Sequence, residues 1–256
     1  VPLEELVSEL GEKLSVLPDY ITISGSGEPT LFSPLGDLID RVKSMTDIPV
    51  AVLTNGSLLW KKEVRSELMN ADLVVPSLDA ADEAMFRAVN RPHKDISFDK
   101  MLGGLIKMRE EFQGKYWLEI FLLGGYTGIE AEVTKLAKCV DRIKPDRIQL
   151  NTVMRPPAED FAVGISYDRM AKFAAMFNPP AEVIADFNDI HEKPEFFSGR
   201  AEILTMLQRR PCSVDDIAGG LGMHRNEIVK YLEDLTVQNL VERSLVGGRI
   251  FYKAKH

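Results

Sequence analysis

The chain has 256 residues, a net charge of −8 and a hydrophobic content of 45%. That length fits one large domain, or one with a small companion, and the apolar fraction suffices for a packed core. The acidic balance excludes a general nucleic-acid coat. Two cysteines exclude a disulfide scaffold and fit a reducing cytoplasm. No apolar run approaches a membrane span and no signal peptide is visible, so no membrane partner is expected.

Val1-Pro2-Leu3-Glu4-Glu5-Leu6-Val7 starts as a helix with proline near its first turn. The run from Tyr20 to Ser24 then alternates like a short strand and stops at Gly25-Ser26-Gly27-Glu28-Pro29. Helical spacing follows at Leu35, Leu38, Ile39 and Val42. Pro49 to Leu53 is a second apolar run, ending in Thr54-Asn55-Gly56, and Asp72 to Pro76 is a third, ending in Ser77-Leu78-Asp79. A helix over Met101 to Phe112 leads to a fourth run, Trp117 to Leu123, which ends in Gly124-Gly125-Tyr126. A helix over Glu130 to Ile143 leads to a fifth, Arg147 to Leu150, which ends in Asn151-Thr152. Ala181 to Ala185 is a further short strand beside the fifth. Strands and helices alternate without hairpin signals, so the strands are expected to be parallel and helix-covered. Buried strands with polar groups only at their carboxyl ends are what an α/β barrel site requires.

Gly25 and Gly27 have no Cβ, so the backbone there can turn sharply and approach a ligand. Pro29 biases Glu28 to an extended conformation and fixes where its carboxylate points. Glu28 then suits the capture of a cationic group such as an amine, or it caps the segment that follows. Arg91 and His93 follow the third strand end and are candidate substrate contacts, or solvated surface groups. Arg155, beyond the fifth strand end, either binds an anionic group or bridges to Asp146 or Glu159. Met101, Met108 and Met170 sit at core spacing. Cys139 falls in a helical pattern and Cys212 opens a different segment, so both are expected to be structural, with no metal ligands in this chain.

From Phe197 onward nine Lys or Arg face seven Asp or Glu, a balance of +2 that leaves −10 for the rest. The shift coincides with a linker, residues 188–198, so the domains are expected at 1–187 and 199–256. Ala201 to Leu207 is a first amphipathic helix of the tail, and Ser213 caps a second one carrying Ile217, Ala218 and Leu221. A third helix runs from about His224 to Gln238. Leu240 to Arg243 and Arg249 to Tyr252 pair across Gly247-Gly248 as a hairpin. This order resembles a winged helix-turn-helix. Arg225, Asn226 and Lys230 could then face nucleic acid, with Arg249 and Lys253 touching phosphates from the wing. Glu227, Glu233 and Asp234 on the same helix weigh against that use, and many winged helices bind proteins or their own catalytic domain.

Over residues 1–160 the chain resembles the radical S-adenosylmethionine (SAM) superfamily without its first strand. The strings SGSGEPTL, VLTNGSLL, SLDA and QLNT are most similar to its uncharacterised iron–sulfur oxidoreductase group, distantly similar to the tRNA wybutosine-synthesis radical enzymes. The resemblance implies a partial, incomplete TIM-like parallel β/α barrel of the α/β class, with the small winged domain behind it. It implies that Gly25, Ser26, Gly27 and Glu28 hold the methionine amine of SAM. Thr54 and Asn55, with Ser77 and Asp79, are then near the SAM carboxylate and ribose, while Gly124, Gly125, Tyr126 and Asn151 frame the adenine. The superfamily's CxxxCxxC loop, whose thiolates hold a 4Fe-4S cluster, has no counterpart here. The chain is therefore expected to be a fragment that is inactive as written. The parent would cleave SAM reductively to a 5′-deoxyadenosyl radical, with electrons from a donor such as flavodoxin or ferredoxin. Its substrate is unknown, with RNA or protein modification as options. The alternative is a transcriptional regulator with an α/β ligand-sensing domain and a DNA-binding winged helix.

Overall fold

A computed structural model describes residues 2–14, 18–25, 27–154, 162–185 and 199–255. The elements run α1 (Leu3–Lys13), β1 (Ile21–Ile23), a 3-10 turn (Pro29–Leu31), α2 (Leu35–Met45), β2 (Val50–Thr54), α3 (Lys62–Glu67) and β3 (Leu73–Pro76). They continue with α4 (Glu83–Val89), α5 (Phe98–Glu111), β4 (Lys115–Leu122), α6 (Glu130–Ile143), β5 (Arg147–Thr152), α7 (Tyr167–Ala174) and β6 (Glu182–Val183). The tail contributes α8 (Gly199–Arg209), α9 (Val214–Leu221), α10 (Arg225–Val237), β7 (Val241–Val246) and β8 (Arg249–Ala254).

The first six strands form one parallel sheet in sequence order, as expected of a partial β/α barrel. Ile21 pairs with Val50, Val52 with Val74, and Val74 with Tyr116. The alternation along β4 buries Tyr116, Leu118, Ile120 and Leu122 and leaves Trp117 and Glu119 half-buried on the other face. On that other face Ala51, Leu73 and Val75 cluster with Tyr20, Leu53 and Trp117. The Arg147 guanidinium lies 4.5 Å from the centroid of the Trp117 ring.

Two compact units divide the chain, residues 1–120 with 138–149, and residues 121–137 with 150–256. In the first, α2 buries Leu35, Leu38, Ile39 and Val42, the spacing that predicted it, and α5 buries Met101, Leu105 and Met108. That second helix begins at Phe98 rather than Met101, because the Ser97 hydroxyl accepts from the Lys100 N–H at 3.3 Å and caps it.

In the second unit, Ile203, Met206, Leu207, Ile217, Leu221, Ile228, Leu232, Leu235 and Val241 form one core with Cys212 and Ile129. Ser213 caps α9 through a reciprocal capping box with Asp216. β7 and β8 are antiparallel, with Val246 opposite Arg249 across Gly247-Gly248. The tail is thus three helices followed by a ribbon. The expected linker, residues 188–198, lies outside the described residues. No helix among the described residues is long and apolar enough to cross a membrane.

Candidate functional site

Within the first unit, a cavity of about 730 Å³ is lined by residues that follow the carboxyl ends of β1, β2 and β3. Glu28, Asn55, Arg91 and His93 all line it, so four of the residues singled out from the sequence meet at one place. A second hollow, about 900 Å³, is lined by Pro49, Asp72, Lys115 and Asp146. Those residues sit at the amino ends of the strands, the end that α/β barrels use for stability rather than chemistry.

Glu28 both caps and faces the cavity. It is the N-cap of the 3-10 turn, and the Thr30 N–H and hydroxyl donate to its Oε1 at 3.1 and 2.6 Å. The Thr54 hydroxyl at the end of β2 donates to the same oxygen. The Asn55 N–H donates to Oε2 at 2.7 Å. Oε1 is therefore saturated, while Oε2 takes one donor among the described residues and keeps acceptor capacity. Among the described residues, a Cβ on Gly27 would meet nothing within 4 Å. A fixed carboxylate with a spare lone pair at a cavity wall fits an ammonium group. Ser26 lies outside the described residues.

At the next strand ends, Asn55 uses its Oδ1 to accept from the Ser57 N–H at 2.9 Å, which leaves its Nδ2 as the donor of that side chain. Ser77 pairs in parallel with Glu119 just past β3. The Asp79 carboxylate accepts from Asn90 Nδ2 at 2.8 Å. Arg91 has a φ of 47°, strained for a residue with a Cβ, and starts the 91–96 loop. Arg87 pins that loop by donating to the carbonyls of His93 at 3.4 Å and Ile96 at 2.9 Å. His93 Nδ1 lies 3.5 Å from Asp95 and accepts from the Asp95 N–H. Arg155 lies outside the described residues.

The sequence reading did not pick out Trp60, Lys61 and Lys100, which also line the cavity. Arg65, buried in α3, donates to the carbonyls of Leu59 and Trp60 at 2.9 and 3.2 Å. Its other nitrogens make a bidentate pair with Glu111 at 2.8 and 2.9 Å. The helix α5 also closes on the same backbone, and a Cβ on Gly104 would lie 2.3 Å from the Trp60 nitrogen. The only hint in sequence is the run Trp60-Lys61-Lys62 just after a strand-end loop.

Gly124, Gly125 and Tyr126 belong to the second unit, where α8 packs on them. Gly125 has a φ of 72°, and a Cβ there would sit 2.8 Å from the Glu202 carbonyl. Arg209 donates to the Gly125 carbonyl at 2.7 Å and lies 4.7 Å from the Tyr126 ring centroid. Arg169 pairs with the buried Glu202 and donates to the Gly128 carbonyl at 2.7 Å. Burial pushes the Glu202 carboxyl up from its ordinary value against the pull of Arg169. Asn151 is the fifth residue of β5, its Oδ1 accepting from the Thr152 N–H. In the tail, Arg225, Asn226, Lys230, Arg249 and Lys253 are all exposed, and Arg225 is ion-paired with Asp215.

Both cysteines are buried and unbridged. Burial raises each thiol above its ordinary value, which disfavours the thiolate that a cluster needs. No group of three or more His, Cys, Asp or Glu among the described residues could hold a metal ion. The described residues thus hold no ligand set for an iron–sulfur cluster, while the Glu28 carboxylate has the chemistry to accept an ammonium group.

The Radical SAM superfamily model matches residues 1–137, and the chain belongs to that superfamily. It is 38% identical over 255 residues to the GTPase Obg of Brachyspira hyodysenteriae, covering 98% of this chain and 38% of that protein. It is 36% identical over 177 residues to a UPF0026 protein of Methanocaldococcus jannaschii, covering 69% of this chain and 54% of that protein. The chain thus spans less than two thirds of either relative. A radical SAM methyltransferase from Sphaerobacter thermophilus superposes with a TM-score of 0.56 at 16% identity, over 73% of this chain and 59% of that one. At that identity the likeness concerns the fold.

Proposed function

We propose that the protein is a radical SAM enzyme in which this chain binds and orients SAM. The observation that carries the reading is the Glu28 carboxylate, fixed at a cavity wall with acceptor capacity left on Oε2. Glu28 receives the methionine amine, while Asn55, Ser77 and Asp79 serve the carboxylate and ribose. The chemistry supplied by SAM held there would be one-electron cleavage of its C5′–S bond, giving methionine and a 5′-deoxyadenosyl radical. The chain's own part is positioning and shielding, with Leu31, Leu58 and Phe86 as apolar lining of the cavity. The cluster finds no ligand set among the described residues, so its ligands and its electron donor, a flavodoxin or ferredoxin, belong to the proposal for the whole protein.

The winged-helix reading of the tail is part of the same proposal, supported by its three helices and ribbon. Its exposed cations are candidate contacts to nucleic acid. No observation favours the alternative of a transcriptional regulator, and none bears on kinship with the wybutosine-synthesis enzymes.

The test is SAM affinity of the full-length, reconstituted protein by calorimetry. Loss of one charge-assisted hydrogen bond predicts that Glu28→Ala weakens binding by roughly ten- to a hundredfold. Circular dichroism would confirm that the variant folds. Unchanged affinity in a folded Glu28→Ala protein would remove the assignment.

A further inference from the structure

We infer that Trp60, Lys61 and Lys100 form the recognition platform for a substrate that joins a planar aromatic base to a phosphate, a nucleotide. The inference rests on reading the Glu28 cavity as the site of reaction. It starts from the care with which an indole is held at the cavity wall. The backbone of Leu59 and Trp60 is held by hydrogen bonds from the buried Arg65 guanidinium and by the close approach of Gly104. Trp60 is nonetheless 36% exposed, so a buried guanidinium holds the backbone of a residue that the fold leaves open to solvent. A packing role alone would bury the indole.

The charges around it select the ligand. Lys61 Nζ and Lys100 Nζ stand 5.4 and 5.1 Å from the Trp60 centroid. Lys100 also donates to the Asp95 carbonyl at 3.1 Å. Arg91 lines the same cavity, and the carboxylates on its wall are Glu28 and Asp95, the latter beside His93. The cavity thus carries a carboxylate at Glu28 and ammonium groups at Lys61 and Lys100 among apolar residues such as Leu31, Leu58 and Phe86. Cations beside Trp60 disfavour SAM, itself cationic, and favour an anion. Lysine stems can swing from the ring to a phosphate, which frees the indole face for a base. Base–aromatic stacking with flanking cations is how proteins hold nucleotides without reading sequence.

Tryptophan fluorescence reads this directly, because Trp60 and Trp117 are the two tryptophans of the chain. In a Trp117→Phe background, adenosine and guanosine 5′-monophosphates should quench Trp60, the corresponding nucleosides should bind about tenfold more weakly, and inorganic phosphate should not quench. The pair Lys61→Gln and Lys100→Gln should erase the advantage of the phosphate. Calorimetry on Trp60→Ala should show nucleotide binding weakened roughly tenfold or more, with Trp60→Phe largely retaining it. A short single-stranded oligoribonucleotide that binds more tightly than the monophosphate identifies the nucleotide within RNA, and the reverse order identifies a free nucleotide. Absence of quenching, or quenching indifferent to the phosphate and both lysines, overturns the platform. SAM affinity measured on the same samples keeps the two readings apart, since it responds to Glu28→Ala and not to the lysine pair.

Discussion

Two carboxylates and one guanidinium organise the candidate site. Glu28 ties the end of β1 to the end of β2 through Thr54 and Asn55, so the cap of a short turn is also a wall of the cavity. Arg65 does the equivalent work at the Trp60 backbone, and its side chain is 5% exposed while its partner Glu111 is 43% exposed. Arg65→Ala would strand a buried carbonyl, remove the bidentate pair and loosen the indole's footing. A loss of about 2–3 kcal/mol is expected in urea unfolding, together with a shifted Trp60 emission. Arg65→Lys should not restore it, because an ammonium cannot reproduce the planar fork. Wild-type stability in Arg65→Ala would show that the loop holds without this bridge. Glu28 was legible in sequence because glycines and Pro29 frame it. Arg65 and Trp60 were not, because what gives them meaning is Glu111 and Gly104, far along the chain.

The elements that could be read in advance are those whose signal is local. Buried parallel strands are apolar runs that stop abruptly, which is why β2 and β3 stand close to their expected bounds. The helix α6 matches Glu130 to Ile143 because its apolar spacing is regular. By contrast α3 is six residues long and buries an arginine instead of an apolar stripe, so no periodicity announced it. The fifth strand runs on through Asn151 and Thr152, since the Thr152 hydroxyl finds a buried partner in the Leu122 carbonyl at 2.8 Å. In the tail, Ser213 was legible as a cap, while its partner Asp216 emerges from the structure. The Ser213 N–H and hydroxyl hold the Asp216 carboxyl below its ordinary range. A depressed carboxyl contributes stability that is present above its unfolded value and is lost as pH falls through the folded one. The stability gap between wild type and Asp216→Asn should therefore shrink as pH is lowered from 6 to about 3. Thermal unfolding of the two proteins across that range tests it, and a gap independent of pH would contradict the charged capping box.

At the scale of the molecule, a six-stranded parallel sheet sets the Glu28 cavity at the carboxyl ends of its first three strands, and the superfamily match covers β1 to β4. The tail makes its own contribution within the second unit, where α8 closes on Gly125 and Arg209 covers Tyr126. The resemblance implies that Gly124, Gly125 and Tyr126 frame adenine, and in the structure a Cβ on Gly125 would lie 2.8 Å from the Glu202 carbonyl of α8. Sequence spacing reveals that a Cβ is missing but not which atoms take its place. The measurement that bears most directly on the account uses the full-length protein, purified without oxygen and reconstituted with iron and sulfide. Its reduced EPR spectrum is recorded with and without SAM, beside an assay for 5′-deoxyadenosine. The expected result is a cluster signal that SAM perturbs, with 5′-deoxyadenosine formed and both effects shifted to higher SAM concentrations in Glu28→Ala. A protein that holds no cluster and cleaves no SAM would contradict it.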